Sequence, residues 1–186
     1  MTTTVPTQGT STWTLDASHS LIEFSAKHMM ITTVKGRIPD VRGTLAIDER
    51  RPEASTVQVE FDAASIDTRA EQRDQHLRSA DFLDVEHFPT ITFRSRSIEG
   101  ASTAEGARFR VMGDLTIRDT TREVTLDATY EGAGRDPWGG DRISFSATTK
   151  IDRRDFGLTW NAALEAGGVL VSNDIRIQIE AQAVRA

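Results

Sequence analysis

The segment "LIEFSAKH" puts Ile22, Phe24 and Ala26 on one side of an extended chain and Glu23, Ser25 and Lys27 on the other. The same period of two returns at Val57, Val59 and Phe61, at Ile91 and Phe93, and through Phe109, Val111, Gly113, Leu115 and Ile117. Val124 with Leu126, Ile143 with Phe145, and Ile175, Ile177 and Ile179 carry it to the end of the chain. Val, Ile, Thr and Phe suit a pleated, half-buried surface. Between the runs, "ERRPEAS", "EGASTAEGA", "RDTTRE" and "GAGRDPWGGD" supply turn chemistry. The pattern predicts an all-β domain of antiparallel strands, arranged as a sandwich or a closed barrel. Strands of about 8–12 residues, at about 3.3 Å each, reach about 26–40 Å. That length suits a tall barrel, whose closure also removes exposed edges. One domain over residues 12–186 is expected, after a loose tail at 1–11 that is rich in Thr and holds Pro6 and Gly9.

One short charged stretch, "EQRDQHLRS", interrupts the alternation. Thr68 stands three residues before Glu71, the spacing of a capping box, and predicts a helix over roughly 69–79 as a crossover between strands. In such a helix Asp74 reaches Arg78 at i,i+4, and Leu77 faces inward. The charges of this helix suit a solvated surface or, alternatively, the mouth of a pocket.

Composition narrows the function classes. The chain has 186 residues and a net charge of −6, with 22 basic against 28 acidic residues and no basic run. That balance argues against nucleic-acid binding and against electrostatic docking on an anionic membrane. The chain has no cysteine, which excludes disulfides and thiolate sites. No apolar run approaches the roughly 20 residues of a spanning helix, so stable membrane insertion is not expected. The opening "MTTTVPTQGTSTW" does not read as a secretion signal, which makes the cytoplasm the default compartment.

"SIDTRAEQRDQHLRSADFLDVEHFPTITFRS" resembles the signature of the YceI-like family, which runs approximately S-I-D-T, R-D-x-H-L, D-F-F-D, P-x-I-T-F-x-S. "WTLDASHSLIEFSAKHM", "GDLTIRDTTREVTLDA" and "FSATTKIDRRDFGLTWN" are similar to three further motifs of that family, in the same order. The resemblance implies an eight-stranded antiparallel barrel with a lipocalin-like pocket, and binding of long apolar chains such as polyisoprenoids and quinone tails. It also implies a homodimer, with no face assignable from sequence. Many members carry a secretion signal and the opening of this sequence does not read as one, so a periplasmic role is not expected to transfer. Ile117, Arg118 and Asp119 replace the family's frequent I-H-G, and Ile38 and Val41 stand where aromatic residues are common. Those departures alter pocket width and rim charge and leave the fold intact.

An eight-stranded barrel is close to the size at which side chains either fill the interior or leave room for one ligand. The lining candidates are Ile22, Phe24, Ala26, Ile38 and Leu45 from the first half of the barrel, with Val59 and Phe61. Phe93, Phe109, Val111, Leu126 and Phe145 complete the set. Small residues at Ala26, Gly36, Gly113, Ala128 and Ala147 would widen an elongated slot; the alternative is that the phenylalanines pack it solid. The polar rim candidates are His28, Arg73, Asp74 and His76, with Arg73 placed to pair with a phosphate or carboxylate and His76 to donate a hydrogen bond. In the competing reading, Arg73 and Asp74 anchor the helix by salt bridges.

Asp16, His19 and Ser20 lie close together in "DASHS", yet neighbours on an extended strand point to opposite faces and cannot form a triad. None of His19, His28, His76 and His87 has metal-site spacing. No cofactor or metal is expected. The leading expectation is a non-catalytic carrier of an isoprenoid-like or other long-chain lipid. A filled-barrel scaffold of structural or stress-response type and an enzyme acting on an isoprenoid lipid remain the alternatives.

Overall fold

The computed structural model describes residues 9–186. Ten strands follow in chain order: β1 Thr10–Leu15, β2 Leu21–His28, β3 Thr32–Arg37, β4 Val41–Asp48 and β5 Thr56–Asp62, then β6 Thr90–Glu99, β7 Arg108–Ile117, β8 Thr120–Arg135, β9 Asp141–Asp152 and β10 Asp174–Arg185. The one α-helix among the described residues, α1 Glu71–Arg78, lies between β5 and β6. All named strand pairs are antiparallel, in the order β1-β4-β5-β6-β7-β8-β9-β10-β2-β3, with β1 also paired to β10.

That extra pairing closes the barrel. One edge of β10 is shared: Arg176–Glu180 pair with Ser25–Leu21 of β2, and Ala183–Arg185 pair with Leu15–Trp13 of β1. β1 and β2 are therefore two halves of one stave, broken by a short turn at Ala17–His19. β3 and β4 are the matching halves of the next stave, facing β2 and β1 respectively. Ten segments make eight staves, and the eight-stranded antiparallel barrel expected from the motifs is the fold.

Strand lengths spread more widely than the alternation implies, from six residues in β1 to sixteen in β8. β1 begins early, so Thr10 and Ser11, expected in the tail, pair with Asp48 and Ile47. The rest of the expected tail, residues 1–8, lies outside the described residues.

The wall glycines have a different task from the one expected. A Cβ on Gly36 would stand 2.4 Å from Phe24 Cζ, on the strand directly opposite. One on Gly113 would stand 2.5 Å from Phe93 Cζ and 2.5 Å from the carbonyl oxygen of Arg94. These glycines do not widen the lumen by being small. Each is a seat for an aromatic ring, the device that repairs a glycine's gap in a sheet. The rings lie against the wall and leave the axis clear.

The helix forms where it was expected, with different end chemistry. Its N-cap is Ala70, which makes no side-chain cap bond, so the capping box is absent. Thr68 is drawn elsewhere because Arg69 turns the chain through a left-handed conformation (φ 62°). The Asp74 carboxylate, 4% exposed, accepts from the Thr68 amide at 2.9 Å and the Thr68 hydroxyl at 2.5 Å. Arg73 Nε donates to the same hydroxyl oxygen at 2.7 Å and its Nη2 to the Thr68 carbonyl at 2.8 Å. Asp74 is thus unavailable to Arg78, which instead donates to the carbonyls of Ala64 and Ile66 and lies 3.7 Å from Glu71. Leu77 does turn inward and packs against the core.

The chain connecting β5 to β6 and the chain connecting β9 to β10 cap the same end of the barrel. Ile66, Phe82 and Leu83 from the first, and Phe156 and Leu158 from the second, are buried in one cluster with Ile117 and Ile151. Arg153, 4% exposed, ties the second connection together: its guanidinium donates to the carbonyls of Leu158 (2.7 Å), Trp160 (2.8 Å) and Ser172 (3.0 Å).

Two substitutions check these contacts by urea denaturation. Gly113→Ala is expected to cost about 1–3 kcal/mol, because the backbone oxygen of Arg94 cannot swing away as a side chain can; a loss below about 0.5 kcal/mol would refute the tight wall contact. Asp74→Ala leaves the buried amide and hydroxyl of Thr68 without their acceptor, and is expected to cost about 1–3 kcal/mol.

Candidate ligand-binding cavity

A cavity of about 880 Å³ occupies the barrel. At one end it reaches the turns between β4 and β5, β6 and β7, and β8 and β9, where Glu49, Ser102 and Asp141 line it. At the other it stops at Phe24, Ile117 and Thr149, beneath the capped end. From Asp141 to Thr149 along β9 is about 26 Å of strand, which at a tilt of about 40° gives a depth of about 20 Å. Its size falls in the range of small-molecule pockets, about 300–1,000 Å³.

The wall is apolar because every strand but β3 turns an alternating hydrophobic face to the cavity. Ile22, Phe24, Ile38, Leu45, Val59 and Phe61 line the cavity on one side. Phe93, Phe109, Val111, Leu126 and Phe145 line it on the other. The phenylalanines therefore surround the lumen instead of filling it. Phe109, Phe145 and Tyr130 form a run of ring contacts near the mouth, with centroids 6.0 and 5.6 Å apart. Ala128 and Ala147 face each other across β8 and β9 and keep the middle of the channel wide.

Ala26 is the exception among the lining candidates. It shares a face with Phe24 but lies two residues nearer the capped end, past the floor, and does not line the cavity. Trp13, Leu15 and Ile47 do line it and were missed. The alternation in "WTL" and "LAI" carried that signal, hidden for "WTL" by its nearness to the polar N-terminal stretch.

None of the four rim candidates lines the cavity. α1 lies at the capped end, so Arg73 and Asp74 hold Thr68 there, in the arrangement described above. His76 packs edge-on against Trp160 at 4.6 Å and Phe82 at 5.1 Å, and its Nε2 is 2.8 Å from Asp81. His28 ends β2 and pairs with Val171 of the β9–β10 connection. The salt-bridge alternative for Arg73 and Asp74 is also corrected, since both bond to Thr68 and not to opposite charges.

The true mouth is held by other groups. Arg142 Nη1 donates to Asp16 at 2.7 Å and to Gln182 at 2.8 Å, while its Nε donates to Asp136 at 2.8 Å. The Ser18 hydroxyl, then Arg142 and His19, hold the Asp16 carboxyl well below the usual carboxylate range. Arg142, with the Gly140 amide, does the same for Asp136. The Arg185 guanidinium stacks 5.5 Å from the Trp13 ring centroid, between Glu49 and Asp141. Burial raises the Tyr130 phenol above its ordinary value, helped by the Glu105 carboxylate. Ser20 donates to the Asp16 carbonyl and His19 to the Asp16 carboxylate, so the "DASHS" side chains brace the turn between β1 and β2. Among the described residues, no three His, Asp or Glu side chains gather as metal ligands.

The family model for the YceI-like domain matches residues 13–183. The chain belongs to the YceI-like family. It is 40% identical to Protein YceI of Salmonella newport over 144 residues, which is 77% of this chain and 73% of that one. The Campylobacter jejuni YCEI protein superposes with a TM-score of 0.72 at 29% identity, covering 86% of this chain and 90% of the other. A domain from Saccharophagus degradans, described as polyisoprenoid binding and implicated in plant cell wall breakdown, superposes with a TM-score of 0.71 at 14% identity, covering 94% and 98%. In this YceI-like chain, motif residues divide between wall and cap: Phe24 and Phe93 line the lumen, while Thr68, Asp74 and Phe156 build the seal.

The Arg142 junction gives a signed pH dependence. Asp16 and Asp136 are held low, so the stability they contribute is complete above about pH 4 and declines as pH falls through their folded-state values. Arg142→Gln removes the share of that contribution that Arg142 supplies, leaving Ser18 and His19 on Asp16 and the Gly140 amide on Asp136. The stability gap between the parent protein and this variant, followed by urea denaturation, is expected to be widest near neutral pH and to narrow toward about pH 3. A gap that stays constant or widens on acidification contradicts the arrangement.

Proposed function

We propose that this barrel binds and carries one long-chain amphiphilic lipid, of the polyisoprenoid or isoprenoid-quinone class, without chemically changing it. The observation that carries the proposal is an apolar channel of about 880 Å³, open at a polar rim and sealed at its far end. A lipid entering tail first would bury its chain against the aliphatic wall and leave its head group among Ser102, Asp141 and Arg185. About 400 Å² of buried chain is worth about 10 kcal/mol at 25 cal/mol per Å², before the cost of association is subtracted. The Saccharophagus degradans domain with the same fold is described as polyisoprenoid binding, which supports this choice of ligand class. The engagement of Asp16, His19 and Ser20 within a turn supports carriage over hydrolysis at that motif.

Native mass spectrometry of the purified protein is expected to show a co-purifying lipid that organic extraction removes. The stripped protein should then bind a fluorescently tagged prenyl alcohol. Ala147→Phe projects a ring into the channel between Ala128 and Ile179, its neighbours across the two ladders. This variant is expected to weaken probe binding by about tenfold or more while keeping the far-ultraviolet spectrum of the parent. A lipid-free mass together with no probe binding would overturn the proposal, and turnover of the extracted lipid would replace carriage with catalysis.

A further inference from the structure

The turn between β8 and β9 stands on the rim of the cavity. Ala133 and Gly134, just before it, and Asp141, just after it, are all lining residues. Trp138 at its tip is 87% exposed. Single exposed apolar residues are common and mean little alone. This one differs in its support. The Asp136 carboxylate accepts from the amides of Trp138 (3.0 Å) and Gly140 (2.8 Å) and is held from below by Arg142 (2.8 Å). Backbone bonds between Asp136 and Gly139 and between Asp136 and Gly140 close the loop, and Arg135 Nε donates to the Gly139 carbonyl. The indole is thus presented outward on a cross-braced turn. Beside it, the exposed Arg135 has no carboxylate within ion-pair distance among the described residues, whereas Arg142 and Arg185 at the same rim are paired.

An indole favours the zone between water and hydrocarbon, where its ring is apolar and its N–H finds a partner. A guanidinium next to it, bonded to the Gly139 carbonyl through Nε and without a carboxylate partner among the described residues, matches a phosphate. We propose that the Asp136–Gly140 turn docks the open mouth on a phospholipid bilayer. Trp138 then sits at the boundary of head groups and acyl chains, and Arg135 contacts a lipid phosphate. This proposal rests on the carrier reading. It explains how a long tail enters a one-ended channel: with the mouth against the bilayer, the chain passes from one apolar medium to another without exposing each methylene to water. The mixed charges of the rim and the net charge of −6 fit a zwitterionic bilayer and not an anionic one. Met30 and Ile31, the most exposed large apolar residues after Trp138 among the described residues, are on the β2–β3 hairpin at the capped end, where docking would face the mouth away from the bilayer.

The test uses phosphatidylcholine vesicles with bromine on the upper acyl chain. Vesicles are expected to shift tryptophan emission to the blue and quench it in the parent protein. Trp138→Ser should lose both responses, because Trp13 is buried and Trp160 packs against His76 and Phe82. Transfer of the tagged prenyl alcohol from protein to vesicles should speed up with vesicle concentration in the parent. In Trp138→Ser it should be about tenfold slower and independent of vesicle concentration. Arg135→Gln should show a smaller loss in the same direction, and Ile31→Ser none. Probe affinity without vesicles should match the parent in all three variants. Absence of quenching in the parent, or equal transfer by Trp138→Ser, overturns bilayer docking and points to a protein partner on this turn. Failure of probe binding without vesicles strikes the carrier reading instead, and the quenching measurement still decides docking.

Discussion

Strand β10 gives one edge to β9 along almost its whole length and divides the other between β2 and β1. Through that divided edge the hydrogen-bonded ladder meets itself, and the outer edge of β3, bridged only at Arg37 to Asp67, is the one stretch of wall among the described residues without a strand partner. An apolar lumen of this size gains nothing from contacts across its axis, so its wall must hold its own shape. The closed ladder supplies that rigidity. The break at Asp16 lets one stave be made of two short strands without opening the ring, and Arg142 ties that break to β9 and β10. Lumen, mouth and cap all assume that the wall does not collapse inward.

The division of labour between the two ends follows from connectivity. In an up-and-down barrel successive connections alternate between ends. The β5–β6, β7–β8 and β9–β10 connections therefore share one end, and two of them are long enough to fold across it. Ile66, Phe82, Phe156 and Leu158 meet there. The turns at the opposite end are too short to cover anything. Trp138 projects outward, and Ser102 and Asp141 only border the opening.

Much of this was legible in the sequence. The period of two at Val57, Val59 and Phe61, or at Phe109 and Val111, identifies wall residues because the pleat assigns each face unambiguously. Other features were hidden for physical reasons. A glycine at 36 or 113 reads as a small residue, and only the three-dimensional wall reveals the ring of Phe24 or Phe93 lying on it. Thr68 has the spacing of a cap, yet a left-handed Arg69 and the short reach of Asp74 commit it to another bond. Charge in "EQRDQHLRS" looks like a mouth when judged by polarity. Counting connections places it at the same end as the long β9–β10 connection, and that parity argument needs no coordinates, whereas which end is sealed does.

The seal has a consequence for selectivity. A tube open at both ends tolerates any tail, since surplus length simply emerges. A blind tube with its floor at Phe24 and Ile117 works as a gauge. Each added carbon gains apolar contact until the chain touches bottom, and every carbon after that must stay outside with the head group. On the carrier reading proposed above, such a tube would sort tails by length, through the position of its floor and without any group that recognises the chain end.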